Sequence, residues 1–367
     1  MKITFSNAKT PSAPEIVMAL TDSLEELEKN EDKEIAGTML KDIGKGVALP
    51  AYIGAQESAY LQNHAKSTWA AYLIYRYKFK VYPKLQIVTD FPTYVLIEPV
   101  SSCNFRCPMC FQVDKSFTRK PFMGTMSMHL FRQVIDEACS GGAGAVTIAS
   151  RGEPTLHPKL AEMLEYASGK FFELKLNTNA SKLNDTLAHS ILQSGVTNLV
   201  FSIDAHHKSL YERIRVGGVF EETVRNVENF QRIRAEHYPD SLLTTRISGV
   251  SMLAEQQDQE AEFTKFWSPL VDEVAWVPCE ERWDVYNNPV NPENAHPCSY
   301  IWERFYVWFD GTCNPCDVDY KSRLSPGKLG VGVSIKDVWN NGAYARLRQA
   351  HSELRRGVLN PCDRCGV

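Results

Sequence analysis

The sequence predicts an α/β fold: a parallel sheet with right-handed helical crossovers, curled or closed as a barrel. Two observations predict it. Six apolar or alternating runs rich in β-branched residues recur between residues 94 and 278, and amphipathic helical patterns separate them. Strand and helix in alternation bury a sheet on both faces, which a parallel sheet requires. In such barrels the reacting groups sit in the loops at the strand C-terminal ends.

In chain order, residues 1–90 offer one strand, MKITFSN, and then amphipathic runs such as PEIVMALTDSLEELEKNED and ESAYLQNHAKSTWAAYLIYRYKFK, which read as a mainly helical extension. The barrel is expected over 91–285. Its strands are YVLIEPV (94–100), AVTIAS (145–150), ELKLNTNA (173–180), NLVFSIDA (198–205), LLTTRISGV (242–250) and EVAWVP (273–278). Between them MHLFRQVIDEAC, KLAEMLEYASG, NDTLAHSILQSG and FEETVRNVENFQRIRAEH read as helices, several closed by glycine. Residues 286–367 are expected as a small cysteine-bearing C-terminal domain.

With 367 residues, 44% of them hydrophobic, the chain can bury a sizeable core. A formal charge of −4 gives no basic excess, so nothing in the balance asks for nucleic acid or an anionic membrane. The N-terminus lacks a secretory pattern and no run approaches the roughly 18 apolar residues of a membrane span, so a reducing cytoplasm is expected. There, ten cysteines read as metal ligands or catalysts before disulfides. Cys103, Cys107 and Cys110 crowd one loop; Cys313, Cys316, Cys362 and Cys365, with Cys298 upstream, form a second group; Cys139 and Cys279 stand apart.

The first three follow the first barrel strand directly, at the barrel mouth. Thiolates are the usual iron–sulfur ligands, and three of them on a four-iron cubane leave one iron open. A closed structural zinc site wants four ligands, so three thiolates suit zinc less well, although zinc accepts them.

C-x3-C-x2-C, here Cys103-Asn104-Phe105-Arg106-Cys107-Pro108-Met109-Cys110, resembles the signature of the radical S-adenosylmethionine (radical SAM) enzymes. The resemblance implies a partial (β/α)6 barrel, a [4Fe–4S] cluster on these three cysteines, and S-adenosylmethionine on the open iron. An electron from a donor such as flavodoxin or ferredoxin then yields a 5′-deoxyadenosyl radical that abstracts a substrate hydrogen. SRGEPTLHP resembles the family's Gly-Gly-Glu-Pro element, with Arg151 in place of the first glycine. It implies that Gly152 lets backbone approach the methionine moiety and that Glu153 accepts from its ammonium. Asn179 in NTNA and Ser202 in FSIDA match positions that contact ribose or carboxylate, and Met109 sits where the family places an apolar residue against adenine. Without the resemblance, Asn179 and Ser202 read as turn formers. Arg246, a charge inside an apolar strand, contacts the cofactor carboxylate, binds a substrate hydroxyl, or satisfies a structural acid.

Cys298, Cys316, Cys362 and Cys365 are spaced C-x17-C-x45-C-x2-C, which by itself also suits a four-thiolate zinc site. Gly311 with Cys316 makes a G-x4-C step, and GKLGVGVSIKDVWNNGAYARLRQ resembles the connecting segment of SPASM/twitch extensions, which implies a second, auxiliary [4Fe–4S] cluster on these four, with Cys313 spare. Such a cluster has no open iron and serves electron transfer or support. The resemblance implies a small-molecule substrate, hydroxylated (a sugar, sugar nucleotide or cyclitol), and an oxidation or epimerisation. A peptide-modifying enzyme is the alternative, although residues 1–90 show no evident leader-binding module. Cys279, at the end of the sixth strand, is either a buried hydrophobe or the hydrogen donor of an epimerase.

Overall fold

The computed structural model describes residues 2–5, 11–45, 53–253, 256, 258–279, 283–291 and 296–366. The chain divides into two compact units, residues 5–88 and residues 89–367 together with 1–4.

Among the described residues the first unit is helical: α1 (Ala13–Ser23), α2 (Asn30–Gly44), α3 (Ala55–Asn63) and α4 (Trp69–Val81). Helix α1 starts where Ser12 and Glu15 form a capping box, the Ser12 amide donating to Glu15 at 3.1 Å. Ile16, Leu20, Ile35, Met39, Leu61 and Leu73 make its core. The buried Glu57 carboxylate is paired with Arg76 at 2.6 Å and Lys80 at 2.7 Å, the compensation a buried charge needs.

The second unit is built on a ten-stranded sheet of order β1-β7-β6-β5-β4-β3-β2-β8-β9-β10. Its strands are β1 (Lys2–Phe5), β2 (Tyr94–Ile97), β3 (Ala145–Ile148), β4 (Glu173–Thr178), β5 (Asn198–Ser202), β6 (Thr244–Ser251), β7 (Glu273–Pro278), β8 (Arg304–Val307), β9 (Thr312–Asn314) and β10 (Gly327–Lys328). From β7 to β8 every pairing is parallel. The crossovers are α5 (Met128–Gly141), α6 (Leu160–Ala167), α7 (Asp185–Gln193), α8 (Lys208–Ile214) with α9 (Phe220–His237), and α10 (Glu260–Trp267). Short α11 (Tyr300–Glu303) precedes β8; α12 (Ile335–Trp339) and α13 (Gly342–Ser352) follow β10. This is the parallel sheet of a partial barrel, with the expected six strands present.

Alternation along each strand sorts the side chains. Val95, Ile97, Leu174, Leu176, Leu199 and Phe201 join the core with Phe131, Val134, Leu164, Val227 and Phe230 of the helices. Leu96, Asn177, Ser202, Val250, Val277 and Tyr306 alternate with them and line a central cavity. Ser127 caps α5 by accepting from the Leu130 amide at 3.2 Å, and Gly142 at φ +83° ends that helix in the left-handed region.

Two features differ from the six-strand reading. Strand β8, in the stretch taken for the separate C-terminal domain, pairs in parallel with β2, Tyr94 opposite Arg304 and Ile97 opposite Val307. Its apolar alternation, Phe305 and Val307, covers an edge that β2 would otherwise leave open. The N-terminal strand stands at the other end of the sheet, beside β7.

Candidate functional site

The loop after β2 is fixed by its own backbone and by neighbouring loops. The Cys110 amide donates to the Cys107 carbonyl at 2.9 Å and the Arg106 amide to the Val216 carbonyl at 2.8 Å. Buried Gln112 donates from its side-chain amide to the carbonyls of Ser101 (2.7 Å) and Arg151 (2.5 Å). A cavity of about 740 Å³ opens beside this loop at the C-terminal ends of the strands, and Cys103, Cys107, Cys110 and Met109 line it. Gly152, Glu153, Asn179, Ser202 and Cys279 line the same cavity. Burial pushes the Cys103 thiol up to about 12 and raises Cys107, against the nearby Arg215 guanidinium, whose Nη1 lies 4.0 Å from the Cys107 sulfur.

The element after β3 crosses the cysteine loop closely. A Cβ on Gly152 would stand 2.2 Å from the Val100 carbonyl and 2.5 Å from that of Ser102, so glycine is required here by the chain's own backbone. Next to it the Glu153 amide donates to the Ser102 carbonyl at 2.9 Å. The Glu153 carboxylate is buried, which raises its pKa, and it gathers strand ends: Oε1 accepts from the Thr155 amide (3.1 Å), the Thr155 hydroxyl (2.7 Å) and the Thr178 hydroxyl (2.6 Å), and Oε2 from the Asn179 amide (2.8 Å). Oε2 accepts from one donor where Oε1 accepts from three, so it keeps acceptor capacity, and Glu153 lines the cavity. Asn179 does form a turn, its Oδ1 accepting from the Ser181 amide and hydroxyl, while its Nδ2 donates to Asn104 at 3.0 Å and so ties the β4 loop to the cysteine loop.

The second cysteine group is brought together less obviously. The thiols of Cys298, Cys316, Cys362 and Cys365 are near enough to act on one another: burial raises the first three, and a neighbouring cysteine adds to each rise. The Cys298 amide donates to His351 Nδ1 at 3.1 Å. Cys313 stands outside that group, fully buried in the barrel core with its sulfur 3.6 Å from the Gly311 carbonyl. Phe111, Phe117, Tyr286 and Tyr320 form one apolar cluster with Cys365, and Cys110 and Cys316 pack on it, so the two cysteine groups share an aromatic wall.

Arg246 does not line the cavity. It sits on β6 opposite Glu273, the first residue of β7, toward the N-terminal end of the barrel. Burial lowers its pKa and Glu273 works against that, surroundings that favour the structural-acid reading among the three. Arg151, also in the cavity lining, is held in a fork: Nε and Nη2 donate to Glu98 at 2.5 and 2.7 Å, Nη1 donates to the Tyr320 carbonyl at 2.8 Å, and the guanidinium lies 4.2 Å from the Trp308 ring centroid. Several polar cavity residues are missing from the sequence reading, among them Asn177, Arg215, Tyr300, Tyr306 and Asp317. Arg215, paired with buried Asp204 at 2.5 Å, is signalled only by Gly217-Gly218 behind a short helix. Tyr306 and Asp317 lie in the stretch assigned to the C-terminal domain.

The donor set fits the groups the resemblance implies. The three cysteines line one cavity with Glu153 and with Ser150, whose hydroxyl is buried without a hydrogen-bond partner among the described residues. Among those residues no three His, Cys, Asp or Glu side chains converge as round a single ion; a cubane takes each thiolate on a different iron.

Residues 97–250 match the family model of the radical SAM superfamily, and residues 298–366 match that of the SPASM iron-sulfur cluster-binding domain. The chain thus carries a radical SAM domain and, C-terminal to it, a SPASM domain. These domains imply S-adenosylmethionine, a [4Fe–4S] cluster and auxiliary iron–sulfur ligation. The chain is 30% identical over 112 residues to the tungsten-containing aldehyde ferredoxin oxidoreductase cofactor-modifying protein of Pyrococcus furiosus, 30% of each chain. It is 27% identical over 157 residues to the mycofactocin maturase MftC of Mycobacterium ulcerans, 43% of this chain and 41% of that one. With the AdoMet-dependent heme synthase of Methanosarcina barkeri it shares 26% over 260 residues, 68% and 69% of the two chains. It thus spans less than half the length of the first two. Among solved structures, BtrN in complex with AdoMet and 2-DOIA superposes with a TM-score of 0.50 at 16% identity, over 75% of this chain and 93% of that. Streptococcus suis SuiB bound to precursor peptide SuiA gives 0.53 at 15%, over 86% and 80%. At these identities the likeness is one of fold. Among the described residues no helix is long and apolar enough to cross a membrane.

Proposed function

We propose that this radical SAM enzyme removes a carbon-bound hydrogen from a small hydroxylated molecule, such as a sugar, sugar nucleotide or cyclitol, and completes an oxidation or an epimerisation. The observation that carries the reading is the cavity lining: beside the cysteine loop stand Asn177, Ser202, Tyr300, Tyr306 and Asp317, hydrogen-bonding groups suited to hydroxyls. Cys103, Cys107 and Cys110 hold the first cluster, Glu153 Oε2 takes the cofactor ammonium, and Met109, Gly152, Asn179 and Ser202 line its seat. Cys298, Cys316, Cys362 and Cys365 hold the auxiliary cluster. When bound, the first cluster and S-adenosylmethionine supply the hydrogen-abstracting 5′-deoxyadenosyl radical.

The chain's residues decide the ending. If Cys279 returns a hydrogen atom from the opposite face, the product is an epimer, and the thiyl left on Cys279 would regain its hydrogen from a solvent proton and one electron supplied by the cluster that the C-terminal cysteines would hold. If Asp317, which lines the cavity, takes the hydroxyl proton while the remaining electron leaves toward the cluster that the C-terminal cysteines would hold, the product is a ketone. The fold likeness to BtrN in complex with AdoMet and 2-DOIA supports the small-molecule class. Reaction in deuterated solvent separates the endings. Cys279→Ala in an epimerase keeps 5′-deoxyadenosine formation and loses inverted product, whereas in a dehydrogenase Asp317→Asn lowers ketone formation about 10²-fold or more and Cys279→Ala does not. Full inversion by Cys279→Ala would remove that residue from the reaction.

Peptide modification is the second reading, supported by the likeness to MftC maturases and to SuiB bound to its precursor peptide. Residues 11–45 and 53–88 are described without a strand, so they offer no sheet edge for an added leader strand. Hydrogen abstraction from a precursor peptide, with none from sugars or cyclitols, would establish this reading in place of the first.

A further inference from the structure

The segment between α8 and α9 packs closely on the cysteine loop. The Val216 carbonyl accepts from the Arg106 amide at 2.8 Å, a Cβ on Gly217 would stand 3.1 Å from the Asn104 carbonyl, and one on Gly218 would stand 2.9 Å from the Phe105 ring. Gly217 has φ +99°, in the left-handed region, so this approach depends on glycine. Arg215, at the head of the segment, lines the cavity, and its guanidinium is engaged at both ends. Nε lies 2.5 Å from the Asp204 carboxylate, and Nη1 lies 4.0 Å from the Cys107 sulfur. The ion pair is buried, the Asp204 side chain 1% exposed and that of Arg215 13%. Asp204 is itself fixed: Oδ1 accepts from the Val250 amide at 3.0 Å, and its carbonyl accepts from the Gln256 side-chain amide at 2.9 Å. The pairing uses Nε and leaves Nη1 for the sulfur. A guanidinium is always charged and presents its N–H groups in a rigid fork, so one end can be anchored while the other donates. Cys103, by contrast, meets neutral donors, the Phe105 amide at 3.4 Å and the Asn179 side-chain amide at 4.0 Å.

We propose that Arg215, braced by Asp204, is a positioning residue of the first cluster: it donates a charged N–H to the Cys107 sulfur, holds that ligand against the loop after β5, and makes the cluster easier to reduce. The assignment rests on Cys107 holding that cluster. When the cluster takes up one electron its net charge becomes one unit more negative, and a guanidinium beside a ligand sulfur stabilises the more negative form. No proton moves and no bond breaks in this step, and Arg215 stays a cation throughout. If Arg215 served only as the counter-ion of Asp204, removing both charges together would leave the reduction equilibrium where it was.

The test uses the full, anaerobically reconstituted protein without substrate. It reads the midpoint potential of the first cluster from its reduced-state electron paramagnetic resonance signal during a dithionite titration, that signal being the one lost in Cys107→Ala. Arg215→Met/Asp204→Asn removes both charges and keeps an acceptor for the Val250 amide, so no buried charge is stranded. With iron content at the wild-type level, its reduction equilibrium is expected to fall about tenfold or more, about 59 mV for one electron. Arg215→Lys should fall less far, because one ammonium that holds Asp204 does not also reach the sulfur as a fork does. Exposed Arg213, two residues earlier on α8, is the control, and Arg213→Gln should titrate as the wild type does. A wild-type midpoint in Arg215→Met/Asp204→Asn, or an equal shift in Arg213→Gln, overturns the assignment. Should the double variant load no iron at the first site, Arg215→Lys decides, and a wild-type midpoint there overturns it. A wild type with no signal that Cys107→Ala removes would strike the cluster reading and the assignment with it, whereas an unmoved potential in a fully loaded variant strikes Arg215 alone.

Discussion

Arg151 stands where the family motif has a glycine, and its contacts explain the replacement. Its fork joins Glu98, at the end of β2, to the Tyr320 carbonyl, so the arginine locks the C-terminal region to the barrel mouth. Glu98 is fully buried, and Arg151→Met would leave its carboxylate with the Phe309 amide at 3.3 Å. A loss of about 3–5 kcal/mol in chemical denaturation is expected, and Arg151→Met/Glu98→Gln should recover part of it. Glu273 gives a second prediction. Burial raises its pKa from 4.5 to about 7, against Arg246 and Lys175 and with Asp272 and Glu173. The folded chain therefore holds this proton more tightly than the unfolded one, and its stabilising effect, full below pH 4.5, is lost as pH rises through about 7. That loss is on the order of 3 kcal/mol, and Glu273→Gln should flatten the urea midpoint between pH 5 and 8. The same residues show what one sequence hides. Arg246 was legible as a charge inside an apolar strand, but not its depth: it lies five residues before the end of β6, about 16 Å below the rim at strand rise, opposite Glu273 of β7.

At the scale of elements, the loops after β2 and β3 are a single device, because the Gly152 backbone runs against the carbonyls of Val100 and Ser102. Gly152→Ala meets backbone and not a flexible side chain, so the cysteine loop must shift. Loss of most iron at the first site after reconstitution is expected, read from the charge-transfer absorbance and metal content, with circular dichroism confirming the fold. The motif made Gly152 and Glu153 legible, whereas the reason for the glycine needed the crossing of two loops distant in sequence. Strands β2 to β7 were legible because each is an apolar run closed by a turn. Strand β8 was not recognised as part of the sheet, since Phe305 and Val307 show a strand but not that its partner is β2, some 210 residues earlier. Arg215 carried no signal in its own residue type, and its pairing with Asp204 is a tertiary fact.

In the molecule as a whole two cysteine groups, one lining the cavity and the other in the C-terminal region, are joined by an aromatic wall, and the proposed function gives them different work. Phe111, next to Cys110, stacks on Tyr320 with centroids 4.8 Å apart, and Tyr320 meets Tyr286 at 4.9 Å. The division was readable in the spacing of the cysteines, while the wall was not, since its rings come from segments some 200 residues apart. The most direct measurement is 5′-deoxyadenosine formation from S-adenosylmethionine by anaerobically reconstituted, reduced protein, in the wild type, Cys107→Ala and Cys365→Ala, each with its iron content. The account predicts cleavage in the wild type with about eight irons, none in Cys107→Ala, and some cleavage uncoupled from product in Cys365→Ala. Equal loss of cleavage in both variants, each folded and retaining its other cluster, would contradict the separation of roles, and colourless protein with stoichiometric zinc would contradict the chemistry altogether.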